Sequence, residues 1–154
     1  MIHVYYGWGK GKTTCALGCG MRACGAGMNV LLVQFLKDNQ SAELKTLPFE
    51  IFQAPDSLPF HPGSEYQAWV DSAVRHMKNC SADMIILDEF LDIVGNFISV
   101  ESAIRLIKAL NAEVIITGHK AVKEILAIAD YITLFEKIRH PYDSGVKARR
   151  GIEY

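Results

Sequence analysis

Gly7-Trp8-Gly9-Lys10-Gly11-Lys12-Thr13-Thr14 follows an apolar, strand-like run (Ile2, Val4, Tyr5) and opens a helical pattern in which Ala16, Leu17, Met21 and Ala23 recur at packing intervals. A glycine-rich loop ending in Gly-Lys-Thr between a strand and a helix is a phosphate-gripping loop. Its glycines let the backbone approach a polyphosphate and turn successive N–H groups inward, where the helix N-terminus adds positive potential. Lys12 supplies a point charge and the Thr13 hydroxyl can ligate Mg²⁺, with Thr14 as a second hydroxyl or a first-turn helix residue. The common pattern places a glycine five residues before the Gly-Lys pair; here that position is Tyr6, and the glycines fall at 7, 9 and 11. The loop is one residue tighter.

Asp83-Met84-Ile85-Ile86-Leu87-Asp88-Glu89 is a continuous apolar run ending in two acids, the pattern of a buried parallel strand that ends in a cleft. Parallel strands bring their carboxyl ends to one edge, so Asp88 and Thr13 are expected to meet near one metal ion. An acidic first helical turn beside a plain core strand reads the same way when taken alone. Its pairing with the loop at 7–14 favours the metal reading.

Strand-like segments recur at 29–35, 49–53, 84–88, 114–117 and 131–135, and helical patterns fill the gaps at 40–47, 65–79, 100–110 and 122–129. This alternation predicts an α/β fold, a mostly parallel sheet of about six strands with helices on both faces. Residues 54–64 carry Pro55, Pro59, Pro62 and Gly63 and read as a lid or substrate loop. With 154 residues, half of them hydrophobic, and no repeat or linker, the chain reads as one domain, 1–154.

A net charge of −1 argues against nucleic acid as a partner, although Lys147, Arg149 and Arg150 make the tail locally basic. No apolar run reaches membrane-spanning length, and the chain enters its first strand without a charged leader, so a cytoplasmic protein is expected. The four cysteines, at 15, 19, 24 and 80, form no C-x-x-C pair and read as small packing residues.

The tail from Lys137 to Tyr154 contains His140-Pro141-Tyr142-Asp143-Ser144-Gly145-Val146-Lys147-Ala148-Arg149-Arg150-Gly151-Ile152-Glu153-Tyr154. It resembles the C-terminal signature of the P-loop ATP:corrinoid adenosyltransferases, which act on cob(I)alamin or cob(I)yrinic acid a,c-diamide. The likeness extends to the tight loop at 7–14, to Gly18, Arg22, Ala23, Gly25 and Gly27, and to Val33-Gln34-Phe35-Leu36-Lys37. Leu87-Asp88-Glu89, Ile115-Ile116-Thr117-Gly118 and Ala129-Asp130 also match in order. This chain resembles a short, divergent member. Trp8 stands where the family has a small polar residue, His119 where it commonly has arginine, and Leu58 to Gly63 where it has a Phe-Thr-Trp-like corrinoid element.

The resemblance implies a RecA-like P-loop NTPase fold, usually dimeric, that binds ATP in a flipped orientation. The reaction it implies moves the 5′-deoxyadenosyl group of ATP to the Co(I) centre of a reduced corrinoid and releases triphosphate. Lys12 and Thr13 would carry the catalysis. Gly7, Trp8, Gly9, Lys10, Gly11, Lys12, Thr13, Thr14, Arg22, Glu43, Phe60, His140, Asp143 and Lys147 would contact nucleotide or corrinoid. Thr13, Asp88 and Glu89 would hold Mg²⁺, with Mn²⁺ as an alternative ion, and a flavoprotein reductase would supply the electron to a homodimeric enzyme. Co(I) attacks carbon and carries no proton, so no general base is needed; positioning and stabilisation of the leaving triphosphate are the protein's task. A nucleotide- or corrinoid-binding relative without turnover and a generic P-loop NTPase or kinase are the alternative classes.

Overall fold

A computed structural model describes residues 1–37, 41–54 and 63–153. Strands β1 (Ile2–Tyr6), β2 (Val30–Gln34), β3 (Glu50–Gln53), β4 (Met84–Asp88), β5 (Glu113–Gly118) and β6 (Tyr131–Leu134) form one sheet in the order β3-β2-β4-β5-β1-β6. Every neighbouring pair is parallel. The predicted α/β fold is present, with the architecture of a RecA-like P-loop NTPase.

Side chains alternate across the sheet because successive Cβ atoms of a strand point to opposite faces. Leu31, Val33, Ile85, Leu87, Val114 and Ile116 therefore enter one apolar layer, where they meet helices α2 (Ser64–Asn79), α3 (Phe90–Ile93), α4 (Val100–Ala109) and α5 (Lys123–Leu126). Val30, Leu32, Met84, Ile86 and Ile115 enter the other, against α1 (Lys12–Gly25) and the 3₁₀ turn Ala42–Lys45. The handedness of parallel crossovers explains this division. The connections β1 to β2 and β2 to β3 run one way across the sheet and lie on one face; β3 to β4, β4 to β5 and β5 to β6 run back and lie on the other.

Two helical segments are shorter than their patterns suggest. Within the predicted run at 40–47, the described residues hold a single 3₁₀ turn, Ala42–Lys45, tied to the sheet by Leu44 and Leu47. Such a short run closes few hydrogen bonds for the residues it fixes, so packing rather than propensity holds it. In the run at 122–129, α5 spans Lys123–Leu126 and continues as i to i−3 turns at Ile128 and Ala129. One element escaped the pattern altogether: α3 is four residues long, begins after Glu89 in a left-handed conformation (φ 60°), and buries Phe90, Leu91 and Ile93. Among the described residues no helix is long and apolar enough to cross a membrane.

Candidate active site

Parallel strands end together, and register decides which side chains meet there. Gln34 pairs with Gln53 on one side and Asp88 on the other, while Leu87 pairs with Ile116, so Thr117 lies next to Asp88. The result is a polar row across β3, β2, β4 and β5 at the carboxyl edge of the sheet. Gln53 Nε2 donates to Gln34 Oε1, Gln34 Nε2 donates to Asp88 Oδ2 at 3.1 Å, and the Thr117 hydroxyl donates to Asp88 Oδ1 at 2.7 Å.

The loop after β1 reaches this row from above. Gly7, at φ 114°, and Gly9 press against the chain that leaves β6: a Cβ at Gly7 would lie 2.4 Å from the Phe135 carbonyl oxygen, and one at Gly9 would lie 2.8 Å from the Glu136 carbonyl oxygen. Only glycine fits that approach. Gly9 N–H donates to the Phe135 carbonyl at 2.7 Å and Gly7 N–H to the Gly118 carbonyl at 3.2 Å, which fixes the loop between the ends of β5 and β6. Helix α1 then starts at Lys12, and Thr13 Oγ1 donates to Asp88 Oδ1 at 2.9 Å. The expected meeting of Thr13 with Asp88 is thus realised with β5 standing between their strands.

Lys12 is buried, and its ammonium donates to the carbonyls of Gly7 at 2.8 Å and Gly9 at 3.3 Å. Burial lowers its pKa from the ordinary value; Glu89 and Asp92 oppose that shift and the Lys37 charge adds to it. Lys37 is the site residue that sequence reasoning assigned no role. Its Nζ lies 2.5 Å from Asp88 Oδ2 and 2.7 Å from Thr13 Oγ1, so a cation already bridges the two groups read as metal ligands. Leu36 makes this reach possible by adopting a left-handed conformation (φ 52°), its N–H donating to the Tyr66 hydroxyl at 2.8 Å. The signal is Val33 to Lys37 itself, the end of a strand with a basic residue three positions beyond it.

A second acidic group flanks the first. Glu89 N–H donates to Thr117 Oγ1 at 3.0 Å, while the Glu89 carboxylate turns to His119, 3.4 Å from Nδ1. Asp92 Oδ2 lies 3.0 Å from the same Nδ1 and accepts the His119 backbone N–H at 2.9 Å. Hydrogen bonding to Asp92 and then to Glu89 outweighs burial and raises His119 to about 9. Burial opposes ionisation of Asp92, but the hydrogen bonds from His119 and with Glu89 prevail and hold it at about 2.

Together these elements enclose a cleft of about 600 Å³ lined by residues 9–14, Leu17, Met21, Lys37, Glu43 and Glu89, with Gly151 to Glu153 of the tail at its rim. Lys10 joins loop to tail, its Nζ donating to the Ile152 carbonyl at 2.6 Å and lying 3.7 Å from Glu153. Gly9 through Thr14, Glu43 and Glu89 therefore line one space, as do the catalytic candidates Lys12 and Thr13. The remaining candidates stand elsewhere. Gly7 lies at the base of the loop and Trp8 on its outer side, and Arg22 is exposed on α1. His140, Asp143 and Lys147 belong to the turn around Pro141–Ser144, where Asp143 pairs with Lys137 at 2.9 Å. Phe60, with the rest of the candidate loop from 55 to 62, lies outside the described residues.

A fixed phosphate-loop lysine, a threonine hydroxyl bound to a buried carboxylate, and an apolar wall from Leu17, Met21 and Leu47 suit a nucleoside polyphosphate. Comparison with known proteins agrees. The family model described as ATP:corrinoid adenosyltransferase BtuR/CobO/CobP matches residues 1–154. The corrinoid adenosyltransferase CobA of Salmonella typhimurium is 34% identical over 170 residues, covering all of this chain and 85% of the relative. The corrinoid adenosyltransferase of Escherichia coli K12 is 32% identical over 171 residues with the same coverage. That of a Sinorhizobium species is 29% identical over 173 residues, covering all of this chain and 80% of the relative.

Proposed function

The chain belongs to the ATP:corrinoid adenosyltransferase family, and from that premise we propose how its residues carry out the transfer of the 5′-deoxyadenosyl group from ATP to a reduced corrinoid. In that reaction Co(I) forms a bond to ribose C5′, and the C5′–O bond breaks with its electron pair leaving on triphosphate. The chain is a transferase.

The loop amides of residues 9–14 and Lys12 bind the triphosphate and stabilise the charge that grows on the leaving oxygen. Lys12 is poised for this, since its ammonium sits against the loop carbonyls and is partly desolvated. The observation that carries the reading is the Thr13–Asp88 hydrogen bond at the floor of this cleft, with Lys37 bridging both. Hard oxygen donors that already stabilise a cation fit Mg²⁺ or Mn²⁺. Thr13, Asp88 and Glu89 would hold the ion, which would supply positive charge to the triphosphate. Lys37 would then exchange Asp88 for phosphate oxygens. Leu17, Met21 and Leu47 would receive the adenosine, with Glu43 beside it.

The proposal also includes one P-loop domain over residues 1–154, acting in the cytoplasm as a homodimer and receiving Co(I) through a flavoprotein reductase. Four free cysteines suit a reducing compartment. The edge strand β6, with Tyr131, Ile132 and Leu134 each about half exposed, offers a surface for a second subunit. Arg22, Phe60, His140, Asp143 and Lys147 are proposed to contact nucleotide or corrinoid.

The test is anaerobic incubation with chemically reduced cob(I)alamin, ATP and Mg²⁺, following the visible spectrum and assaying triphosphate. Adenosylated product with stoichiometric triphosphate is expected. Release of orthophosphate or diphosphate without corrinoid would instead mark a hydrolase or kinase, and ATP binding without product a non-catalytic relative.

A further inference from the structure

The phosphate loop carries one large aromatic side chain, and it does not line the cleft that the rest of the loop encloses. Trp8 is 73% exposed, yet it is not loose: its ring lies 4.8 Å from that of His119, the planes inclined at 44°. His119 is in turn immobilised. Asp92 takes both its ring Nδ1 and its backbone N–H, and Glu89 lies 3.4 Å from the same ring nitrogen. The residue before it, Gly118, packs so tightly on α3 that a Cβ there would fall 2.6 Å from Leu91 Cβ. The Gly7 N–H, immediately before Trp8, is tied to the Gly118 carbonyl. An indole is therefore held out to solvent from both ends of one short structural link.

Its position has a direction. The apolar wall of the cleft, Leu17, Met21 and Leu47, lies on the α1 face of the sheet, whereas Asp92 and the α3 turn that hold His119 lie on the opposite face. Adenosine on the first wall leaves the Trp8 side of the loop free for the second substrate. That substrate must come close, because reacting atoms need an approach of about 3–3.5 Å and C5′ is one oxygen from the phosphates the loop holds. A corrinoid is a broad, nearly flat ring edged with methyls and amides. An aromatic face with a polar edge is the surface that suits it.

Resting on the transfer reading above, we propose that Trp8 is the platform on which the corrinoid ring docks beside the phosphate loop, and that His119 is the positioning residue that holds the indole in place.

The test separates binding from transfer. Equilibrium ultrafiltration with cobinamide, read by visible absorbance in the presence of ATP, is compared for wild type, W8A and W8F. W8A should retain cobinamide about tenfold or more weakly, W8F should recover most of the affinity, and ATP binding should be unchanged in both. The buried Trp69 indole reports folding of the W8A protein by its fluorescence. In turnover, H119A should raise the corrinoid KM severalfold, by more than it changes the ATP KM, and H119Q should restore it. Cobinamide affinity in W8A equal to wild type overturns the platform while leaving transfer intact. Wild-type protein that binds cobinamide through Trp8 but makes no adenosylated product refutes transfer and leaves the platform standing. Wild-type protein that retains no corrinoid refutes both.

Discussion

Replacing Asp88 with Asn keeps the shape of a fully buried side chain but converts one acceptor oxygen into a donor. Four donors converge on that carboxylate: the Thr13 and Thr117 hydroxyls on Oδ1, and Gln34 Nε2 and Lys37 Nζ on Oδ2. Whichever way the amide turns, two of them lose their acceptor. With the NH₂ toward the hydroxyls, the Thr13 and Thr117 protons are orphaned, though each oxygen can accept; with it toward Oδ2's partners, donor faces donor. Each buried orphan costs about 1–3 kcal/mol. Two effects reduce the sum. The Lys37 side chain is 24% exposed and can turn to water, and removing a buried charge recovers part of its desolvation. A net loss of about 2 kcal/mol follows, equivalent to a fall of about 4–8 °C in Tm for a chain of this size. Thermal unfolding without nucleotide reads that number. A second assay, ATP binding with and without Mg²⁺, reads the proposed metal role: Mg²⁺ should tighten ATP binding to the wild type and have little effect on the variant. An Asp88→Asn protein with wild-type Tm and wild-type Mg²⁺ dependence would refute the account of this carboxylate.

Lys12→Ala should lose at least about a hundredfold in adenosylation, the usual consequence of removing one charge contact to a leaving group; near-normal turnover would remove the loop from the mechanism. Gly9→Ala should lower stability by about 1–3 kcal/mol through overpacking, since its methyl would meet the Phe135 and Glu136 carbonyl region at 2.8 Å; an unchanged urea midpoint would contradict that contact. The His119–Asp92 pair sets a pH window. Because His119 is raised to about 9, its contribution is complete below its unfolded pKa of about 6.5 and disappears as pH rises through 9. Asp92, held at about 2, contributes above about 3.9 and loses its contribution only as pH falls through 2. In chelator, the urea midpoint of the wild type should fall more between about pH 6 and pH 9.5 than that of His119→Gln; parallel declines would show that the pair is not linked to folding.

Much of this was readable before any coordinate. The continuous apolar run from Met84 to Leu87 ending in Asp88, the other strand-like runs and the glycine-rich junction at 7–14 are local properties, so the α/β class and all six strands are legible in residue order, where Lys12, Thr13 and Asp88 stand out as site candidates. Where local pattern was weak, reading failed: α3, four residues long, has no periodicity to detect, and the run at 40–47 looked helical because its apolar residues suit either a helix or a single packed turn.

The rest is a matter of strand order, which no local signal encodes. Thr13 and Asp88 are 75 residues apart and Thr117 and Asp88 are 29 apart, yet inserting β5 between β4 and β1 puts all three at one sheet edge. The same insertion places His119 under Trp8 and Gly118 against the loop. Lys37 reaches Asp88 only because Leu36 takes a left-handed turn stabilised by a hydroxyl from α2. Periodicity and turn chemistry act over a few residues and settle which elements form and where the glycine-rich loop lies. The charges and rings that face one another there depend on long-range pairing and register, and these are fixed by packing of the whole sheet.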